Sequence, residues 1–182
     1  MASSGASLVS GLHVAASTDA EKLVELIRSA YRGEVSRHGW TSEADLVEGD
    51  RIDVERVKNI IRAPNSVILV LGDGENIVAC CQLEDRGDRL AYFGTFAVSP
   101  FQQGRGFGRC LMAGAERWAV EIFGAETLEM TVLAQQRELI AWYERMGYRH
   151  TGERRSFPAD ETFARPLIDE LYFVVLSKRL TA

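Results

Sequence analysis

Only three of the 182 residues are cysteine: Cys80, Cys81 and Cys110. An odd count with two adjacent members inside an apolar run is a poor disulfide framework. That excludes a small stapled secreted domain and favours a reducing compartment, the cytoplasm. No Cys or His pair has ligand spacing, so no metal is expected. Long apolar runs are also missing. Runs such as Val67–Leu71 fall far short of the ~20 residues that cross a bilayer, so no membrane partner is expected. The first ten residues have neither the charged start nor the apolar stretch of a secretion signal. Basic residues are the minority, 21 Lys and Arg against 26 Asp and Glu, for a net charge of −5. Nucleic-acid binding depends on clustered cations, so this balance argues against such a partner. It would suit a cationic substrate, although solubility alone accounts for it.

What remains is the composition of an ordinary globular protein, 46% hydrophobic and 26% charged. Residues 1–10 read as a flexible tail and 11–182 as a single domain, long enough to bury its core without staples. Leu12–Ala16 reads as a first strand. Ser17, Thr18 and Asp19 offer N-caps to a helix with the apolar face Leu23, Leu26, Ile27, Ala30 and Tyr31. A polar stretch broken by Gly39 and Gly49 follows, then a short helix, Val54–Ile61, that stops before Pro64.

Two apolar runs, Ser66–Leu71 and Ile77–Leu83, flank a hairpin signal at residues 72–76. A strand ending at Val98, a helix from Gly106 to Phe123 closed by Gly124, and an alternating strand at Thr127–Leu133 come next. A helix from Gln135 to Met146 and strands at Tyr148–Glu153 and Leu171–Lys178 complete a mixed α/β order. Cys80 and Cys81 should alternate across their strand as inert core residues.

The densest signal is Gln103-Gly104-Arg105-Gly106-Phe107-Gly108-Arg109, lying between a strand and a helix start. Glycines permit close backbone approach, and a helix N-terminus offers free N–H groups to phosphate oxygens. A Walker loop would require Lys-Ser or Lys-Thr after the glycines, where this chain has Arg109-Cys110. The spacing of Gly104, Gly106 and Gly108 does not fit a Rossmann fingerprint either.

Gln103-x-x-Gly106-x-Gly108 resembles the Q/R-x-x-G-x-G/A signature of the GNAT superfamily of N-acetyltransferases. A second stretch, Val132–Gln136 through Ala141–Tyr148, resembles that family's later block, with Tyr143 followed by Gly147-Tyr148. Gln136 departs from the pattern, since many members carry Asn there. The resemblance is sharpest over residues 90–155. It implies an α/β fold of α+β type: a mixed, mostly antiparallel central sheet with a splayed parallel strand pair, flanked by about four helices.

The resemblance further implies acetyl-CoA as co-substrate, bound where two parallel strands splay. Phe96, Ala97 and Val98 would meet the pantetheine arm as an added strand, and an N–H near Val98 would stabilise a tetrahedral oxyanion. Gly104, Arg105, Gly106, Phe107, Gly108 and Arg109 would hold the pyrophosphate, with Gln103 and Gln136 completing the cofactor site. Tyr143 is the expected general acid for the departing thiolate, since phenol and thiol reference pKa values lie within about two units.

An alkyl amine needs a base. Glu84 is the first candidate and Glu43 the second, with His38 a weaker one. Trp40, Tyr92 and Phe157 could line the acceptor pocket along with Glu43, Trp40 serving equally well as a loop anchor. The expected reaction is acetyl transfer to a primary amine, on a small molecule, by direct attack through a tetrahedral intermediate. A protein or peptide acceptor and a non-catalytic acyl-CoA sensor are the alternatives, and a homodimer is compatible with the family.

Overall fold

A computed structural model describes residues 11–72, 75–160 and 163–181. The tail read at 1–10 and the tip of the hairpin at Asp73 and Gly74 lie outside the described residues.

Strand β1 (Leu12–Val14) enters helix α1 (Ala20–Tyr31) through a 3-10 turn at Ser17–Asp19. Asp19 closes the turn by accepting the Ala16 N–H on Oδ2 at 2.8 Å, and its charge suits a helix start. All five residues of the expected α1 stripe are buried. The polar stretch that follows is less irregular than its glycines suggest. It contains one helical turn, α2 (Gly33–Ser36), and a two-residue strand, β2 (Val47–Glu48). Helix α3 (Val54–Arg62) is capped by Asp53, whose Oδ1 accepts the Arg56 N–H at 2.8 Å.

Strands β3 (Ser66–Gly72), β4 (Ile77–Asp85) and β5 (Leu90–Val98) form an antiparallel meander. Helix α4 (Phe107–Glu121) follows, and past its end Gly124 adopts φ 65°. The remaining elements are β6 (Thr127–Leu133), α5 (Arg137–Arg145), β7 (Arg149–Ser156), β8 (Arg165–Pro166) and β9 (Tyr172–Arg179). Helix α5 starts later than its periodicity suggests, because Gln136 is non-helical at ψ 62°. Strand β7 runs past Glu153, since a bulge between His150 and Arg154 lets Arg154–Ser156 pair again with β9.

Seven strands lie in the order β1-β3-β4-β5-β6-β9-β7, and only β5 and β6 are parallel. Strands β2 and β8 form a separate ribbon. This is the expected mixed, mostly antiparallel sheet, with α2 as a fifth helix. Alternation along the strands builds two layers of core. Ile68, Val70 and Cys80 face α1 and α3, whereas Val67, Leu69, Leu71 and Cys81 face α4 and α5. Both thiols are fully buried, and burial pushes Cys80 up to about 12 and Cys81 well above the ordinary thiol range. They are core residues, as the strand register implies. No helix among the described residues is long and apolar enough to cross a membrane.

Candidate active site

The parallel pair is short. Strand β5 meets β6 only from Leu90↔Thr127 to Tyr92↔Glu129 and then diverges. Just past that point β5 carries a bulge: Gln82 pairs with Gly94 and Cys80 with Ala97, so Thr95 and Phe96 together oppose Cys81. Thr95 sits at φ 47°, a left-handed conformation costly for a β-branched residue. Such strain persists where surrounding structure enforces it, and bulges re-aim strands beside active sites. Beyond the bulge, Phe96 and Val98 turn their backbones away from β4. The Phe96 carbonyl accepts the Tyr31 hydroxyl, and the Val98 carbonyl accepts Gln103 Nε2 at 3.3 Å. In a strand the N–H of a residue projects to the same side as its carbonyl, so both residues offer N–H groups to the cleft.

The glycine turn lies at the open end of β5. Gly106 is the N-cap of α4 at φ 87°, and no side chain caps the helix. The first laddered amide is that of Cys110, which donates to the Gly106 carbonyl at 3.0 Å. The amides before it are left for an anion. Gly108 serves a different purpose: a Cβ there would stand 3.2 Å from the Phe96 ring and 3.7 Å from Trp142. Arg109 reaches the adjoining cavity, whereas Arg105 turns outward, hydrogen-bonded to Gln102 and lying over Phe107.

A cavity of about 440 Å³ joins this turn to the splay, lined by Phe96, Val98, Gly104, Gly106, Phe107 and Trp142 among others. Its roof is the loop after α2. Gln103 accepts the Trp40 N–H at 3.0 Å and donates to Thr41 Oγ1 at 3.1 Å, while Gln136 donates to the Thr41 carbonyl at 3.1 Å. The two glutamines expected at the cofactor thus clamp one loop from either side of the splay. Trp40 belongs to this cavity, 6.3 Å from Trp142, rather than to the pocket holding Tyr92 and Phe157.

That second cavity, about 630 Å³, lies on the other side of the splay. Tyr31, Phe96 and Leu139 wall both cavities. Tyr143, Tyr92, Glu43, Gln136 and Phe157 line the second, so the structure gathers these sequence-predicted residues in one place. The Tyr143 ring packs against Phe96, Trp142 and Tyr148. Among the described residues its hydroxyl has no hydrogen-bond partner. Burial raises it well above the ordinary phenol range. It therefore stays protonated, and lies further above a thiol than the reference values place a phenol.

Glu84 is not among the residues that line either cavity. It lies 3.5 Å from Arg86, which in turn covers the Tyr92 ring at 4.1 Å. As the cross-strand partner of Tyr92 it shares that face of the sheet, and the Arg86 guanidinium lies beside both side chains. Glu43 does line the cavity, buried and ion-paired with Arg32. His38 packs against Phe101 outside both cavities.

Sequence reasoning missed Arg51, Arg86 and Arg155, which line the second cavity, and Tyr31, whose hydroxyl braces the bulge. Tyr31 was legible only as the last residue of an apolar stripe. No pattern flagged the arginines.

Two cavities meeting at a splayed parallel pair, with an uncapped helix start at one end, suit a long phosphorylated thioester threaded between them. The comparisons agree. The acetyltransferase (GNAT) family model matches residues 21–148. No curated protein matches the chain. Among solved structures, the ribosomal-protein-S18-alanine N-acetyltransferase from Escherichia coli aligns at TM-score 0.68 and 15% identity over 94% of each chain. A chimera of the spermidine N-acetyltransferase SpeG from Vibrio cholerae and hSSAT aligns at 0.67 and 15% over 93% of this chain and 94% of that one. The yncA protein from Salmonella typhimurium, solved with its cofactor acetyl-CoA, aligns at 0.67 and 15% over 94% of each. At these identities the likeness is one of fold. The family match covers most of the sequence and both glycine-turn and Tyr143 blocks, and this chain belongs to the GNAT acetyltransferase family.

Proposed function

We propose that the protein transfers acetyl from acetyl-CoA to a primary amine on a small molecule. The observation that carries this reading is the adjacency of the two cavities, which share Tyr31, Phe96 and Leu139 as wall, at the point where β5 leaves β6. The residues present fit acetyl-CoA. The amides at the start of α4 and Arg109 suit the pyrophosphate, and the cleft-facing groups of Phe96 and Val98 suit an extended amide-bearing arm. Acetyl-CoA supplies an activated acyl group as a thioester.

The chain's own residues then have three tasks. The β5 N–H groups after the bulge stabilise the negative charge that grows on the carbonyl oxygen, a contribution usually worth about 3 kcal/mol per donor. The cavity around Tyr92 and Phe157 orients the amine nitrogen toward the carbonyl carbon. As the N–C bond forms and the C–S bond breaks, Tyr143 gives its proton to sulfur, and the amine gives one up. Glu43 is the carboxylate within the cavity suited to receive that proton, directly or through water. The reading includes a cytoplasmic location, in keeping with three free thiols, no nucleic-acid partner and room for a homodimer.

A thiol-release assay with acetyl-CoA and a panel of small amines tests this. Release that depends on the amine, with the amine gaining one acetyl mass, is the expected result. Binding of acetyl-CoA without release on any amine would favour a sensor. Acetylation of peptides alone would favour the protein-directed alternative.

A further inference from the structure

Three arginines, Arg51, Arg86 and Arg155, line the acceptor cavity against one carboxylate, Glu43. Two of them are tied down. Arg155 is ion-paired with Glu129 at 2.8 Å and Glu153 at 2.7 Å, and Arg86 lies 3.5 Å from Glu84 and 3.9 Å from Glu129. Glu43 is engaged with Arg32. Arg51 is different. Among the described residues it has no carboxylate within ion-pair distance. Its guanidinium lies 4.3 Å over the Tyr31 ring, and its Nε is buried without a hydrogen-bond partner.

Glu43, itself paired with Arg32, and the Tyr31 hydroxyl favour the Arg51 cation, but no carboxylate touches it, and a largely buried guanidinium without a direct counterion is an uncommon arrangement that a ligand would complete. The backbone adds a cost, since Arg51 adopts φ 65°, with its N–H donating to the Phe163 carbonyl at 3.0 Å. A non-glycine residue in the left-handed region, over-determined by neighbours and aimed into a cleft, is how strain is stored at ligand clamps. The cavity thus has a cation that no carboxylate contacts directly, with one buried N–H left unpaired, and the fold is strained to place it.

We propose that the acceptor is an amine that also carries a carboxylate, as an α-amino acid does, and that Arg51 takes the carboxylate while the amine faces Tyr143 and the splay. The inference rests on the transferase reading above and narrows its substrate. The planar fork of Arg matches a carboxylate through paired hydrogen bonds. A polyamine would instead bring cations against Arg51, Arg86 and Arg155. Acid excess over the whole chain, −5, would favour a cationic substrate, but the charge in this cavity wall without a direct counterion is the Arg51 cation. The transfer step is unchanged: nitrogen gains the acetyl group, sulfur leaves and gains the proton.

The test compares kcat/KM for the standard α-amino acids, their carboxamides, their decarboxylated amines and spermidine. An amino acid should exceed its own carboxamide and decarboxylated amine by about 100-fold. Arg51→Gln should lower kcat/KM for the amino acid far more than for its carboxamide, with the loss in KM, and Arg51→Lys should restore part of it. Equal use of acid and carboxamide, a preference for spermidine, or an equal loss on both in Arg51→Gln would overturn the proposal while the transferase reading stands. Failure of every amine would remove the transferase reading and the proposal with it.

Discussion

Tyr143 combines two effects that act in opposite directions on proton transfer. Burial keeps its phenol protonated well into the alkaline range, so the donor is always loaded. The same burial makes it a weaker acid than a thiol, so transfer to sulfur must be driven by the charge that develops as the C–S bond breaks. Tyr143→Phe should lower kcat by about 100-fold to 1000-fold, within the range for general acid catalysis. Acetyl-CoA affinity, measured by calorimetry, should stay within about twofold, because the hydroxyl has no ground-state partner to lose. The wild-type rate should show no fall near pH 10 from phenol ionisation. An unchanged kcat in the variant would remove Tyr143 as the acid. The residue was identifiable from its setting in the Ala141–Tyr148 block, but its burial depends on Phe96, Trp142 and Tyr148 closing round it.

At the scale of elements, the loop after α2 links the two halves of the site. Gln103 and Gln136 hold it at Trp40 and Thr41, and Glu43, two residues on, is a wall of the acceptor cavity. Gln103→Ala or Gln136→Ala should therefore raise the acceptor KM by about threefold to tenfold, the worth of one or two hydrogen bonds. The double variant should be less than additive, because both bonds restrain one loop. Steady-state kinetics checks this, and additive effects confined to acetyl-CoA affinity would make the glutamines cofactor contacts only.

The regular elements were legible because the apolar runs of β3 and β4, the alternation of β6 and the 3.6-residue stripes of α1 and α4 are strong local signals. The ribbon of β2 and β8 was not, since two-residue strands have no period to read. Nor was the Thr95 bulge, because nothing local predicts a left-handed threonine. Glu84 looked like a base from its place at a strand end, yet the cavity wall omits it, and its Arg86 neighbour lies over the Tyr92 ring, a contact that depends on hairpin packing rather than on spacing.

For the whole molecule, the sheet buries both faces, and the ionisable groups sealed inside make stability depend on pH. Burial raises Cys80, Cys81, Tyr31, Tyr143 and Tyr148. Each is neutral when protonated, so the unfolded chain loses these protons at a lower pH than the folded one. Their contribution is complete below the ordinary thiol pKa and is lost as pH rises, for Cys80 from 9.0 toward about 12. Urea midpoints should fall above about pH 9, by about 1.4 kcal/mol per pH unit for each group that ionises only on unfolding. Replacing Cys80 and Cys81 with Ala should flatten the first part of that decline, although cavities would lower stability throughout. A midpoint constant to pH 11 would contradict the linkage.

The central claim is that the glycine turn and the splay together hold acetyl-CoA. Titration calorimetry of acetyl-CoA into the wild-type protein and Gly106→Val tests it most directly. Gly106 has open space around its Cβ position but lies at φ 87°. A β-branched side chain there forces the turn, and with it the amides of α4, out of place without disturbing the core. The account predicts stoichiometric binding to the wild type and its loss in the variant, with unchanged circular dichroism. Equal affinity in the two proteins would contradict it.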